Sequence, residues 1–388
     1  MMVRKLLLAS VSVIALGICE AGAVDNNTAE QMIQINSDGN DVTVSQSGTD
    51  GGSTVTIQND ADTNTIEHSQ DGASSGADGS VSIDQADNNG VFITQVNAGP
   101  GSMATVNISD DGSDGNVATV SQTGTSATLA TINIGTTGAA PNGDATITQD
   151  GTNNVEAEIT HETGANNSSM IEQVNVSDSF ATTMVTGSDN VTTIEQRDGF
   201  SLDAAQTITG TNNSASVAQV SATDAMATQT VTGTNNLTVL IDQRNGSLLT
   251  ATQSIEGDSN TAEIFQTGEG HQAFQTVSLS DNNTLRIDQS GTGAHEAFQT
   301  VSGGGTNTLT IGQSGSGSAH TATQIVTNGG SNTLLTQQFD DGAKTSLINV
   351  TDGDFNEVTH IQSGSGSHSA TTLISGNSHQ NVVSVTQN

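Results

Sequence analysis

The sequence repeats in columns. An Asn recurs at Asn40, Asn64, Asn89, Asn116, Asn142, Asn167, Asn190, Asn213, Asn236, Asn260, Asn283, Asn307, Asn332, Asn356 and Asn381, at gaps of 23 to 27 residues. An internal period of this size marks a repeat architecture. In 13 of these 15 copies a Gln stands six residues further on: Gln46, Gln70, Gln95, Gln122, Gln173, Gln196, Gln219, Gln266, Gln289, Gln313, Gln338, Gln362 and Gln387. In the copies that begin at Asn142 and Asn236 the Gln comes one residue late, at Gln149 and Gln243, which reads as a local bulge.

Between Asn and Gln the second and fourth positions are mostly apolar, as in Val42 and Val44, Val91 and Ile93, or Leu285 and Ile287. The odd positions are polar, as in Thr284, Arg286 and Asp288. Alternation over seven residues predicts a strand with one buried face, on which Asn and Gln share the apolar side. A second strand is predicted between successive copies. Six consecutive repeats read A-x-Q-x-[VI], among them Ala204-Gln206-Ile208 and Ala273-Gln275-Val277. Turn-rich stretches separate the two segments.

A unit of two short strands buries nothing by itself, so the units must stack. The expected fold is all-β, a β-solenoid of about 15 two-stranded rungs whose strands form two facing parallel sheets. At about 4.8 Å per rung the rod is on the order of 70 Å long. Stacking also resolves the inward amides. Each Asn or Gln lies above its own copy, and amide can bond to amide along the stack. A buried amide without such a partner would cost roughly 1–3 kcal/mol. The second segment Ala29-x-Gln31-x-Ile33 opens the repeat region and Gln387 closes it, with no capping unit recognised at either end. Open edges of this kind predict head-to-tail association of like chains.

Composition would otherwise suggest disorder. Apolar residues make up 32%, and there is no Trp or Tyr, against a usual ~45–50% apolar; the column arrangement argues for order. The start, with Arg4 and Lys5, the apolar run 6–18 and Ala21-Gly22-Ala23, reads as a secretory leader over 1–23. It would remove Cys19, the one cysteine, and leave a single repeat domain over 24–388. No later stretch is long and apolar enough to span a membrane. The net charge is −35, and beyond the leader the cations are Arg197, Arg244, Arg286 and Lys344. Nucleic acid is therefore excluded as a partner. Divalent cations or low pH would weaken the repulsion between chains.

His271, His295 and His320 recur at spacings of 24 and 25, so they are expected to stack at the start of the second strand, with His368 in the same place later. They could form a metal ladder, but duplication of a turn residue is the preferred reading. Acidic turns such as "NDAD" and "SDDGSDG" could attract Ca²⁺ diffusely; they lack the nine-residue calcium repeat. No nucleophile, acid–base or phosphate-loop constellation stands out, so neither an enzyme nor a cofactor is expected.

The pattern N-x-A-x-x-x-Q, with Gly three residues before Asn and Q-x-G after it, resembles the curlin repeat. Gly210, Asn213, Ala215 and Gln219 fit it, as do Gly257, Asn260, Ala262, Gln266 and Gly268. The resemblance runs from about residue 29 to 388. It implies an amyloid-like subunit of curli fibres, secreted to the cell surface or beyond, working in biofilm matrix, adhesion and cell aggregation. It also implies curli-type secretion and nucleation proteins as partners. The chain departs from that pattern in its fifteen copies, its lack of Tyr and its acidity. The competing reading is a monomeric secreted β-solenoid, an adhesin or a Ca²⁺-binding surface protein.

Overall fold

The alternating residues form a stack of short parallel strands. The computed structural model describes residues 28–33, 37–46, 51–71, 76–110 and 112–388; the leader expected at 1–23 lies outside these. The described residues form 30 strands, from β1 (Thr28–Ile33) to β30 (Val382–Gln387). Among them there is no helix, and so none long and apolar enough to cross a membrane. The Asn–Gln segments are the even-numbered strands, such as β2 (Asp41–Gln46) and β20 (Thr261–Glu269). The second segments are odd-numbered, such as β21 (Gln272–Ser278).

Each strand pairs in parallel with the strands two before and two after it. Thus β20 lies between β18 (Thr238–Ser247) and β22 (Thr284–Gly291), with Ile264 opposite Ile241 and Ile287. The chain winds as a parallel β-solenoid of about 14 turns. Odd and even strands make two columns, and inward side chains of both enter the same hydrophobic clusters. A bridge between Thr223 of β17 (Thr223–Thr234) and Ser247 of β18 joins the columns into one network of 30 strands.

A turn conformation fixes where each even strand begins. The residue just before the ladder position is left-handed in every rung, from Gly39 (φ 73) through Asn88 (φ 57), Asn212 (φ 55) and Asn282 (φ 57) to Gln380 (φ 58). Asn tolerates this region because its short side chain bonds locally, which accounts for the recurrent Asn-Asn pairs.

The same turn corrects the reading of the two long copies. Asn142 is itself the left-handed residue (φ 54), and Gly143 occupies the ladder position. Strand β10 (Asp144–Asp150) then pairs without a break with β8 (Val117–Thr123) and β12 (Ser168–Val174), Gln149 opposite Gln122 and Gln173. There is no bulge in that copy. In the other copy Asn236 keeps its place, and the extra residue is Leu237, thrown outward to 60% exposure.

Glycine is required where turns stack closely. A Cβ on Gly210 (φ 129) would lie 1.9 Å from the Gly233 carbonyl oxygen of the next rung, and one on Gly268 (φ 124) 1.7 Å from that of Gly291. Both are glycines of the repeat motif.

Thr306 is a β-branched residue in the left-handed column (φ 62), a conformation such side chains adopt at a cost. Thr306→Asn should stabilise the fold by about 1 kcal/mol, read as a higher urea midpoint at unchanged slope. An unchanged or lower midpoint would count against the strain.

Candidate functional site

The inward amides form continuous ladders along the stack. In the even column each Gln Nε2 donates to the Gln Oε1 of the following rung. The ladder runs from Gln46 through Gln70, Gln95, Gln122, Gln149, Gln173, Gln196, Gln219, Gln243, Gln266, Gln289, Gln313, Gln338 and Gln362 to Gln387, at 2.7–3.0 Å. Each Nε2 also donates across the core to a carbonyl of an odd strand, as Gln266 does to Thr250 at 3.0 Å. The amides between the two end rungs are therefore buried with partners on both sides.

The Asn ladder runs with opposite polarity. Each Oδ1 accepts the backbone N–H of the next Asn, and in most rungs its Nδ2 as well. Asn64 donates both to Asn40 at 2.8 and 3.0 Å, and Asn283 both to Asn260 at 2.9 and 3.0 Å. The ladder takes in Asn40, Asn64, Asn89 and Asn116, and then Asn167, Asn190, Asn213, Asn236, Asn260, Asn283, Asn307, Asn332, Asn356 and Asn381. It is interrupted at Gly143, whose N–H still reaches Asn116 Oδ1 at 2.7 Å but which has no amide to offer Asn167.

Residues 257–291 match the curlin associated repeat. The matched segment starts at one stacking glycine, Gly257, ends at another, Gly291, and contains β20, β21 and β22. No curated protein matches the chain.

Beyond the Asn and Gln ladders of the even column, a third ladder fills the middle of the odd column. It runs Gln206, Gln229, Gln253, Gln275, Gln299 and Gln324 at 2.8–3.0 Å. The A-x-Q-x-[VI] pattern carried the signal for it; the inward parity of the Gln follows from its apolar neighbours two residues to either side.

Histidine does the work of Asn at the corner before the odd strands. His271, His295 and His320 are buried and stacked, with ring centroids 5.0 and 4.5 Å apart. His271 Nδ1 accepts the N–H of His295, and His295 Nδ1 that of His320, at 3.2 and 3.1 Å. His271 Nε2 faces the Gly291 carbonyl at 3.1 Å. Both ring nitrogens of His271 are thus engaged, as Oδ1 and Nδ2 are in Asn. Lys344 follows in the column, opposite both His320 and His368, and its Nζ donates to the carbonyls of Asp341, Gly342 and Gly364. Among the described residues no three His, Cys, Asp or Glu side chains gather as a metal site.

Three more histidines lie in the core, where the sequence pattern put apolar residues. Each is bonded to a Ser facing it in the same rung: His68 to Ser53 (2.6 Å), His161 to Ser169 (2.8 Å) and His360 to Ser346 (2.8 Å). Gly79 makes room for the first, since a Cβ there would meet the His68 ring at 2.1 Å. The sequence signal was a paired departure, a His at an apolar position with a Ser replacing the facing small apolar residue. Burial pushes His68 and His161 down to about 4 and His360 down as well.

Two outcomes follow. Gln266→Leu leaves Gln243 Nε2 and Gln289 Oε1 each short of a ladder partner, and should lower stability by roughly 2–5 kcal/mol in urea unfolding; a loss below that of an outward Thr→Leu change would contradict the ladder's role. The neutral core histidines set the pH response. The unfolded chain takes up protons near pH 6.5, whereas folded His68 and His161 do so only near 4. Their contribution is complete above about 6.5 and drains away as pH falls towards 4, by up to about 3 kcal/mol each. His161→Ile with Ser169→Ala should remove one share of that slope, checked by urea midpoints from pH 7 to 4; parallel pH profiles for variant and parent would overturn the assignment.

Proposed function

We propose that the chain is a secreted structural subunit that stacks end to end into curli-like extracellular fibres. In this reading two facing parallel sheets run on from one copy into the next as an amyloid-like rod. The fibre serves biofilm matrix, adhesion and cell aggregation, as the curlin resemblance implies, and curli-type secretion and nucleation proteins are its partners. We assign it no catalytic activity and no cofactor.

The observation that carries this reading is the complementarity of the two outermost described rungs. Among the described residues, β1 and β2 pair on one edge only, with β3 (Gly52–Gln58) and β4 (Thr65–Asp71). At the other end β29 (His368–Ile374) and β30 pair only with β27 (Lys344–Thr351) and β28 (Glu357–Gln362). Unpaired strand edges invite further strands. The ladders make the two edges complementary. One rung beyond β30, the pattern asks for an amide donor to Asn381 Oδ1 and an acceptor for Gln387 Nε2. Asn40 and Gln46 of a second copy are those groups, and β1 would join β29 in the same step. Like ends with their ladders aligned would set donor against donor in one row and acceptor against acceptor in the other, so the assembly is head to tail and open-ended. The charge of −35 slows the meeting of chains, and divalent cations or acid offset it.

The chain from residue 24 onward, incubated at neutral pH with and without Ca²⁺, should form thioflavin-T-positive fibres seen by electron microscopy, with a lag shortened by added seeds. Persistent monomers across pH and Ca²⁺ would overturn the reading and favour the monomeric solenoid.

A further inference from the structure

The two central outward columns of the odd-numbered strands are nearly free of charge in a strongly acidic chain. Each odd strand turns two central side chains outward, and the parallel register stacks them into two columns. One column includes Thr105, Thr131, Thr228 and Thr252, and the other Thr207, Thr230, Thr276 and Thr300. Of these 30 positions only Glu30 and Glu158 are charged. Glu158 is held along the face by Asn133 Nδ2 (3.1 Å) and Thr160 Oγ1 (3.3 Å). The two corresponding columns of the even strands carry seven charges, among them Glu172, Glu263 and Asp288. The acids of the odd strands lie on the flanks of the strip, with Asp203 and Glu296 on one side and Asp84 and Glu256 on the other. Apolar side chains also stand on it: Met184 is 39% and Leu373 67% exposed, and Phe274 and Phe298 stack with ring centroids 5.1 Å apart.

We propose that this strip is a lateral interface between two copies of the chain, odd face against odd face, so that solenoids associate in pairs. Charge selects the occupant. Two chains of net charge −35 meet with less opposition where the facing central columns carry few carboxylates. A charged partner would find nothing on the strip to read. A second copy brings the same flat, uncharged surface, as a self-complementary two-fold interface requires. The size is adequate as well. Two columns about 7 Å apart, over a rod about 70 Å long, cover on the order of 1,000 Å² per partner, against about 800 Å² in a standard interface. The flanking acids approach one another in such a pair, so salt and divalent cations tighten it.

The pairing does not depend on end-to-end stacking, and one experiment separates the two. Fibres of the chain are measured for mass per unit length, beside an odd-face variant (T207D/T230D/T276D) and an even-face control with three equal charges (T193D/S216D/T310D). The parent and the control should show twice the single-file value, and the odd-face variant should fall by half. If the odd-face variant does not fold, T230D alone replaces it, with doubling retained only at raised salt. A single-file parent, or an odd-face variant that still pairs, overturns the proposal. If no fibres form, end-to-end stacking fails by itself. Sedimentation velocity then reads the pairing as a dimer lost only in the odd-face variant, and a monomeric parent overturns it.

Discussion

A parallel in-register stack imposes one rule on every inward residue: it must tolerate a copy of itself, or a close equivalent, about 4.8 Å above and below. Apolar side chains satisfy the rule by packing. Primary amides satisfy it better, because each carries both a donor and an acceptor and can bond to its like without end. A carboxylate or an unpaired ammonium cannot. Acids are therefore expelled to turns and outward positions, while Asn and Gln, costly in an ordinary core, are the residues this core is built around. The unusual composition is then a consequence of the architecture. A thin core of Ala, Val, Ile and Gln needs few large apolar residues, and the ladders supply bonds that a globular core would replace with bulk.

Histidine shows how the rule can be met by different chemistry. In its neutral form the ring has one acceptor and one N–H, the same pair of functions that Asn offers; His271 uses both, His295 the acceptor and His320 the N–H. A proton on Nδ1 would place a donor against the backbone N–H of the next rung. Burial depresses His271 and His320, and takes His295 to about 3; for His295 the neighbouring rings add to the burial. Lys344 meets the same corner with three carbonyls in place of an acceptor.

Much of this was legible in the sequence because a repeat aligns itself. The Asn–Gln spacing gave the even strands and the parity of their faces, and the A-x-Q-x-[VI] segments gave the odd ones. The failures are local. Asn142 matched the column by type, but it serves the left-handed turn, and Asn is common at both of two adjacent positions, so spacing alone could not separate them. The serine-bonded histidines His68, His161 and His360 broke the apolar pattern singly, and their sense lay in a facing residue 8 to 15 positions away in the sequence. The bridge at Thr223 and Ser247 depends on turn geometry that no period encodes.

Gly143 shows what kind of solid this molecule is. The Asn ladder stops there and resumes from Asn167 to Asn190 with bonds of 3.2 and 3.1 Å, while the Gln ladder passes the same rung through Gln149 without a gap. In a globular core a missing side chain disturbs neighbours in every direction. Here each residue answers mainly to the layers directly above and below, so the fault behaves like a vacancy in a one-dimensional crystal, confined to a single site of one row. One row lacks a member at this rung, and the Gln row of the same strand keeps its bonds.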